Sequence, residues 1–281
     1  MRPFTLNLRG QLASFNRPQV MAIVNVTPDS FYAGSRTFDT DAIRRRTANL
    51  MAEGADMVDI GAYSPGPGAD DVSPAEETER LCRGIEAIRS EGCTLPMSVD
   101  TFRASVAEAA VAMGADIVND IGGGSLDSEM FDTVARLRVL YILMHMRGTP
   151  ATMQSMCQYN DVAADVTGEL ARSLVRLDAL GVSDVIVDPG FGFAKTLGQN
   201  YRMMNVLPEI ADMLGRPMLV GISRKSMLTR LLDIPTDSAL NATTALNAMA
   251  LDRGADIIRV HDVLAARQCV DIYCALKQTS E

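Results

Sequence analysis

The six residues Gly54-Ala55-Asp56-Met57-Val58-Asp59 recur as Gly114-Ala115-Asp116-Ile117-Val118-Asn119 and again as Gly254-Ala255-Asp256-Ile257-Ile258-Arg259. Gly181-Val182-Ser183-Asp184-Val185-Ile186-Val187-Asp188 is a looser copy. An amphipathic stretch precedes each glycine. Glycine takes the left-handed conformation that closes a helix without a Cβ clash. A short run rich in β-branched residues follows and ends on a polar side chain. The unit reads helix, glycine stop, buried strand, polar strand end. Strands that return through a helix lie parallel in one sheet.

Followed through all 281 residues, the pattern predicts strands at roughly 20–25, 56–60, 95–99, 116–119, 139–144, 184–187, 217–221 and 257–260. Helical patterns separate them at roughly 40–53, 74–91, 103–113, 127–136, 160–180, 199–214, 225–253 (broken at Pro235) and 263–277. Ser73, Pro74 and Glu76 read as a capping box at the start of the second helix. The strands are apolar without alternation, as parallel strands covered on both faces are. Eight strand–helix units make an α/β fold of the (β/α)8 TIM-barrel type, with a doubly wound open sheet as the alternative. Residues 1–18 are expected to form a short N-terminal hairpin turning at Arg9-Gly10. Residues 19–281 are expected to form one domain.

Composition excludes several functions. Lys and Arg number 26 against 35 Asp and Glu, a net charge of −9. Nucleic-acid binding needs clustered excess cations, so no nucleic-acid partner is expected. No run of about 20 apolar residues is present to span a membrane. The five cysteines are odd in number and form no C-x-x-C pair, which argues against a disulfide framework or structural zinc. The first residues carry no apolar signal-peptide core, so a cytoplasmic protein is expected.

Barrel enzymes place their chemistry at the C-terminal ends of the strands. Asp100, Asn119 and Asp188 fall there at similar heights. Such acceptors suit a planar ligand edged with N–H groups, and a carboxylate strengthens those bonds. Asp100 and Asp188 have a second reading, as N-caps of the helices that follow. Lys225, Arg259 and His261 gather on the last two strands, with Asn25 and Arg36 on the first loop, where barrels bind phosphate. Arg259 and His261 are two residues apart and face the same side of an extended segment, as an anion clamp would. Arg224-Lys225 opens a helix, where the dipole disfavours cations, so a ligand requirement is expected there. His145, between two methionines, reads as a satisfied packing histidine.

Four strings carry a resemblance: Asn25-Val26-Thr27-Pro28-Asp29-Ser30-Phe31, Asp188-Pro189-Gly190-Phe191-Gly192-Phe193, Gly221-Ile222-Ser223-Arg224-Lys225-Ser226 and Arg259-Val260-His261. In order and spacing the chain resembles the dihydropteroate synthases over residues 18–275. That family is a transferase family of folate biosynthesis. It condenses 6-hydroxymethyl-7,8-dihydropterin pyrophosphate with p-aminobenzoate, releases pyrophosphate and is the target of the sulfonamides. The resemblance implies that Asp100, Asn119, Asp188 and Lys225 hold the pterin, with Met144 and Gly221 lining its pocket. It implies pyrophosphate on Asn25, Arg259 and His261, with Mg2+ at Asn25. It implies Phe31, Phe193, Ser223 and Lys225 around p-aminobenzoate, and a dissociative reaction.

One departure stands out. The family places Ser or Thr and then Arg where this chain has Pro65 and Gly66. One guanidinium fork is lost there, with lower activity, altered sulfonamide sensitivity or replacement by Arg36 as the expected consequences. Two other readings share the pterin floor: a methyltetrahydrofolate methyltransferase-like barrel and a non-enzymatic pterin-binding paralogue. The former has no use for the Ser-Arg-Lys and Arg-x-His anion set. Leu240 to Leu251 and Val263 to Leu276 are more apolar than one-sided helices need, which points to a homodimer.

Overall fold

All four repeat glycines are left-handed, with φ of +88° at Gly54, +114° at Gly114, +79° at Gly181 and +94° at Gly254. Each closes its helix in the same way. Gly54 N–H bonds to Met51 O and Ala55 N–H to Leu50 O, and the matching pairs follow Gly114, Gly181 and Gly254. These nested bonds satisfy the last helical carbonyls and turn the chain sharply into a strand. The computed structural model describes residues 3–8, 10–26, 40–63 and 72–279. Phe31, Arg36, Pro65 and Gly66 lie outside the described residues.

A hairpin of β1 (Phe4–Leu8) and β2 (Gln11–Phe15) opens the chain. The barrel strands are β3 (Gln19–Asn25), β4 (Met57–Gly61), β5 (Met97–Asp100), β6 (Ile117–Asp120), β7 (Leu140–Met144), β8 (Val185–Asp188), β9 (Leu219–Val220) and β10 (Ile257–Val260). They pair in parallel in the order β8-β7-β6-β5-β4-β3-β10-β9. A parallel bridge from Val187 to Met218 joins β8 to the residues entering β9 and closes the ring. The eight predicted strands are therefore all present, as a barrel and not an open sheet.

The helices are α1 (Thr40–Ala52), α2 (Pro74–Ser90), α3 (Ala104–Ala112), α4 (Met130–Leu137), α5 (Val162–Ala179), α6 (Leu197–Asn205), α7 (Leu207–Leu214), α8 (Ser226–Leu232), α9 (Leu240–Asp252) and α10 (Val263–Gln278). Three details differ from expectation. The helix predicted over 199–214 is two, because Pro208 at the start of α7 has no N–H to continue α6. The helix over 225–253 is broken as expected, but ahead of the proline. It stops before Pro235, at Asp233, a left-handed residue with φ of +51°. The capping box at α2 is half made: Ser73 Oγ accepts from Glu76 N–H, but the Glu76 carboxylate turns to Arg80.

The repeated aspartate has a structural task that the sequence pattern did not disclose. Asp56, Asp116 and Asp256 each precede a strand. Their carboxylates accept the backbone N–H of Val20, Met97 and Met218, at 2.9, 2.8 and 2.9 Å. Each aspartate thus pins the start of its neighbouring strand. Asp184, in the looser copy, accepts Asn7 N–H at 2.8 Å and ties down the hairpin. Leu6 and Phe15 of that hairpin pack with Met21, Met57, Ile117, Leu219 and Ile257. The hairpin therefore plugs the N-terminal mouth and leaves the other end for chemistry. No helix among the described residues is long and apolar enough to cross a membrane.

Candidate active site

Neighbouring strands β3 to β6 end in register, so Asn25 lies beside Gly61, Gly61 beside Asp100 and Asp100 beside Asn119. From the next edge, Arg259 of β10 reaches across this row. Its Nε–H donates to Asp59 Oδ2 at 2.6 Å, and its terminal N–H donates to Asp100 Oδ2 at 2.8 Å. Asn119 donates its side-chain N–H to the same Asp59 oxygen at 3.1 Å. Asp59 is fully buried and its Oδ1 has no partner. Asp59, Asn119 and Arg259 are the sixth residues of the three close repeat copies. That shared position is the signal by which Asp59, given no role in the sequence reading, is recognisable as part of the cluster.

Lys225 enters from beyond β9. Its Nζ donates to Phe191 O at 2.7 Å and lies 4.6 Å from the centre of the Phe193 ring. Asp188, buried at the end of β8, accepts Gly190 N–H at 2.7 Å. Neither Asp100 nor Asp188 caps a helix, since α3 and α6 are preceded by Arg103 and Thr196 in that role. Both carboxylates remain facing the barrel mouth. Met144 pairs in register with Asp188. A Cβ at Gly221 would lie 3.8 Å from Lys225 Nζ, so that glycine borders the same space. The structure thus brings together Asn25, Asp100, Asn119, Met144, Asp188, Phe193, Gly221, Ser223, Lys225, Arg259 and His261 at one end of the barrel.

Burial sets the charges here. It pushes the Asp100 carboxyl up to about 7, against the pull of Arg259 and with the repulsion of Asp59. It raises Asp188 as well, while Lys225 draws it back. Lys225 is brought down to about 8 by burial, with Asp188 resisting and Arg259 adding to the shift.

Two sequence expectations need correction. Burial and then the Arg259 charge push His261 down to about 4, so at neutral pH it is not a cation. Ser223 Oγ accepts the His261 backbone N–H at 3.2 Å and lies 3.0 Å from the ring Nδ1. His261 is therefore a neutral imidazole, able to donate one ring N–H. Arg224, expected with Lys225 to meet a ligand, is instead paired within the protein. It pairs in a fork with Asp262, both contacts at 2.8 Å, and staples the loop after β9 to the loop after β10. The cations of the described site are Lys225 and Arg259.

His145 is a packing histidine, as expected, but in a buried network with Lys195 and Glu169 that the sequence reading missed. The Gly122-Gly123-Gly124 turn wraps the Asp120 carboxylate, which accepts from Gly122 N–H, Gly124 N–H and Tyr141 OH. Among the described residues no group of three His, Cys, Asp or Glu side chains could hold a metal. Asn25, exposed at the end of β3, offers an oxygen donor at this mouth.

A sequence model of the family "Pterin binding enzyme" matches residues 21–261. The chain belongs to this family. Among curated pterin binding enzymes, it is 40% identical to the dihydropteroate synthase of Synechocystis over 263 residues, 92% of this chain and 90% of that protein. Dihydropteroate synthase from Xanthomonas albilineans, solved with 4-aminobenzoic acid, superposes with a TM-score of 0.90 at 36% identity, covering 98% of this chain and 99% of that one. The Yersinia pestis enzyme, solved with a sulfonamide drug, superposes with a TM-score of 0.89 at 35% identity, covering 98% and 100%. As a pterin binding enzyme, the chain carries its acceptor floor and its two cations at the mouth of the barrel.

Proposed function

We propose that this pterin binding enzyme is a dihydropteroate synthase, condensing 6-hydroxymethyl-7,8-dihydropterin pyrophosphate with p-aminobenzoate in folate biosynthesis. The observation that carries this reading is the Arg259 guanidinium, bonded to Asp59 and Asp100 and sharing one site with Lys225. A pterin site needs carboxylates, and a leaving pyrophosphate needs cations. This cluster supplies both within one strand-end layer.

In the proposed mechanism Asp188 and Asn119 hold the N–H edge of the pterin, with Asp100 and Lys225 beside it and Met144 and Gly221 lining the pocket. Asn25, Arg259 and His261 take the pyrophosphate. The C–O bond breaks and its electron pair leaves with pyrophosphate, whose growing charge Arg259 offsets. Asp100 and Asp188 favour the positive charge that develops on the pterin methylene. The p-aminobenzoate nitrogen, held between Phe193, Ser223 and Lys225 with Phe31 from the first loop, attacks that carbon and then sheds a proton. Positioning and charge compensation suffice, because an aniline nitrogen attacks without a strong base.

Mg2+ fits this donor set. A hard oxygen from Asn25, completed by phosphate oxygens and water, is the usual way of holding it. When bound, it supplies further charge neutralisation on the leaving group. Sulfonamides would compete for the p-aminobenzoate subsite, in line with the Yersinia pestis complex. A homodimer is proposed through α9 and α10, where Met249, Leu264, Ile272 and Leu276 stand exposed. Light scattering at micromolar concentration tests it, and a monomer contradicts it.

The enzymatic reading is tested by incubating the protein with both substrates and Mg2+ and measuring dihydropteroate. Pterin binding with no product would assign the chain to the non-enzymatic paralogues instead.

A further inference from the structure

Lys195 is 3% exposed and lies near enough to Asp188 to feel its charge, yet its hydrogen bonds go elsewhere. Its Nζ donates to Gly190 O at 2.9 Å, to Phe193 O at 3.1 Å and to His145 Nδ1 at 3.1 Å. An ammonium has three donors, so all three are used within the protein. His145 passes the contact outward, with Nε2–H donating to Glu169 Oε2 at 2.9 Å on α5. Glu169 is fixed in turn by the Arg147 guanidinium, which lies 4.0 Å from the centre of the Tyr159 ring. Tyr159 OH donates to Ala194 O at 2.9 Å and returns the network to the same loop.

That loop is held in a shape it would not keep alone. Gly190, Gly192 and Ala194 are all left-handed, with φ of +71°, +84° and +48°. Ala194 carries a Cβ and is disfavoured there. A Cβ at Gly190 would meet His145 O at 2.0 Å, so the loop lies directly on the strand end. The alternating left-handed residues turn the carbonyls of Gly190 and Phe193 onto one ammonium. Between them the loop presents Phe191 O and the Phe193 ring to Lys225. A neutral side chain of the same length would fill the space without desolvating a charge. It would not select this loop shape.

We propose that Lys195, braced by His145 and Glu169, is a positioning residue for the second substrate, fixing the 190–194 loop so that Phe193 and Lys225 form the wall of the p-aminobenzoate subsite. The inference rests on the synthase reading. Asp100 and Asn119 belong to strand ends outside this loop, so that part of the pterin subsite stands apart from Lys195, while Asp188 meets the loop through the Gly190 N–H.

The test compares wild type, Lys195→Met and Glu169→Gln. The readouts are KM for p-aminobenzoate, Kd for the pterin pyrophosphate by calorimetry, and Tm. In Lys195→Met the KM for p-aminobenzoate rises about tenfold while pterin affinity stays within about twofold. In Glu169→Gln, which keeps the packing and reports even if Lys195→Met fails to fold, KM rises about threefold with the same selectivity. A merely structural Lys195 would lower Tm and weaken both substrates together, or leave both unchanged. Either outcome overturns the proposal. Wild-type protein that binds pterin and makes no dihydropteroate defeats the synthase reading and this inference with it. Active wild type with an unselective Lys195→Met defeats the inference alone.

Discussion

Arg259 Nε–H lies 2.6 Å from Asp59 Oδ2, the oxygen that also accepts from Asn119 at 3.1 Å. A fully buried carboxylate therefore aims both a pyrophosphate ligand and a pterin ligand of the proposed site. Removing one partner of a buried pair leaves the other uncompensated. Asp59→Ala is expected to lower stability by about 3–5 kcal/mol. Arg259→Lys keeps the charge but loses the fork, and kcat/KM should fall by about 100-fold or more. Urea denaturation reads the first, steady-state kinetics the second.

The repeated aspartates separate fold from function. Asp116 accepts Met97 N–H at 2.8 Å at the far end of the barrel from the chemistry. Asp116→Ala leaves that donor buried and unmade, a loss of about 1–3 kcal/mol. Its kcat/KM should remain within about twofold of wild type. A large kinetic loss at unchanged stability would contradict the assignment.

The pH profile of kcat/KM should be narrow. Asp100, pushed up to about 7, must ionise to hold Arg259 and the pterin, so the rate rises through that value. Lys225, brought down to about 8, loses its charge above that value, so the rate falls. Lys225→Arg should remove the alkaline limb while lowering the maximum. His261, neutral down to about 4, contributes no limb near 6.5.

Glu169 sets the acid stability of the α5 side. Its bond to His145, with Arg147 beside it, holds the carboxyl down at about 2 against the usual 4.5. The stability it contributes is present in full above 4.5 and is lost as pH falls through about 2. Glu169→Gln should therefore unfold more easily than wild type at pH 7, by about 2 kcal/mol after solvent screening. Denaturant titrations should show that gap closing below pH 4.5.

The barrel was legible because its grammar repeats: a left-handed glycine, an apolar strand and a polar strand end mark the units one by one. The helix break near Val206 was harder, since apolar periodicity runs across it, whereas Pro235 marked the other break to within two residues. Asp100, Asn119, Asp188, Lys225 and Arg259 were legible from their strand ends. The neutral state of His261 was not, because it depends on burial and on the Arg259 charge beside it in the folded ring. The Arg224–Asp262 fork and the Lys195–His145–Glu169 chain were hidden likewise, as partners brought close only by the closed ring.

The central claim is that this strand-end cluster couples departure of pyrophosphate to formation of the new C–N bond. Dihydropteroate and pyrophosphate should be measured in one time course for wild type and Arg259→Ala, with pterin binding followed by calorimetry. The account predicts equal amounts of both products from wild type. It predicts a rate at least about 100-fold lower in Arg259→Ala, with pterin still bound. Wild-type protein that binds the pterin and yields neither product, or an Arg259→Ala variant as fast as wild type, would contradict it.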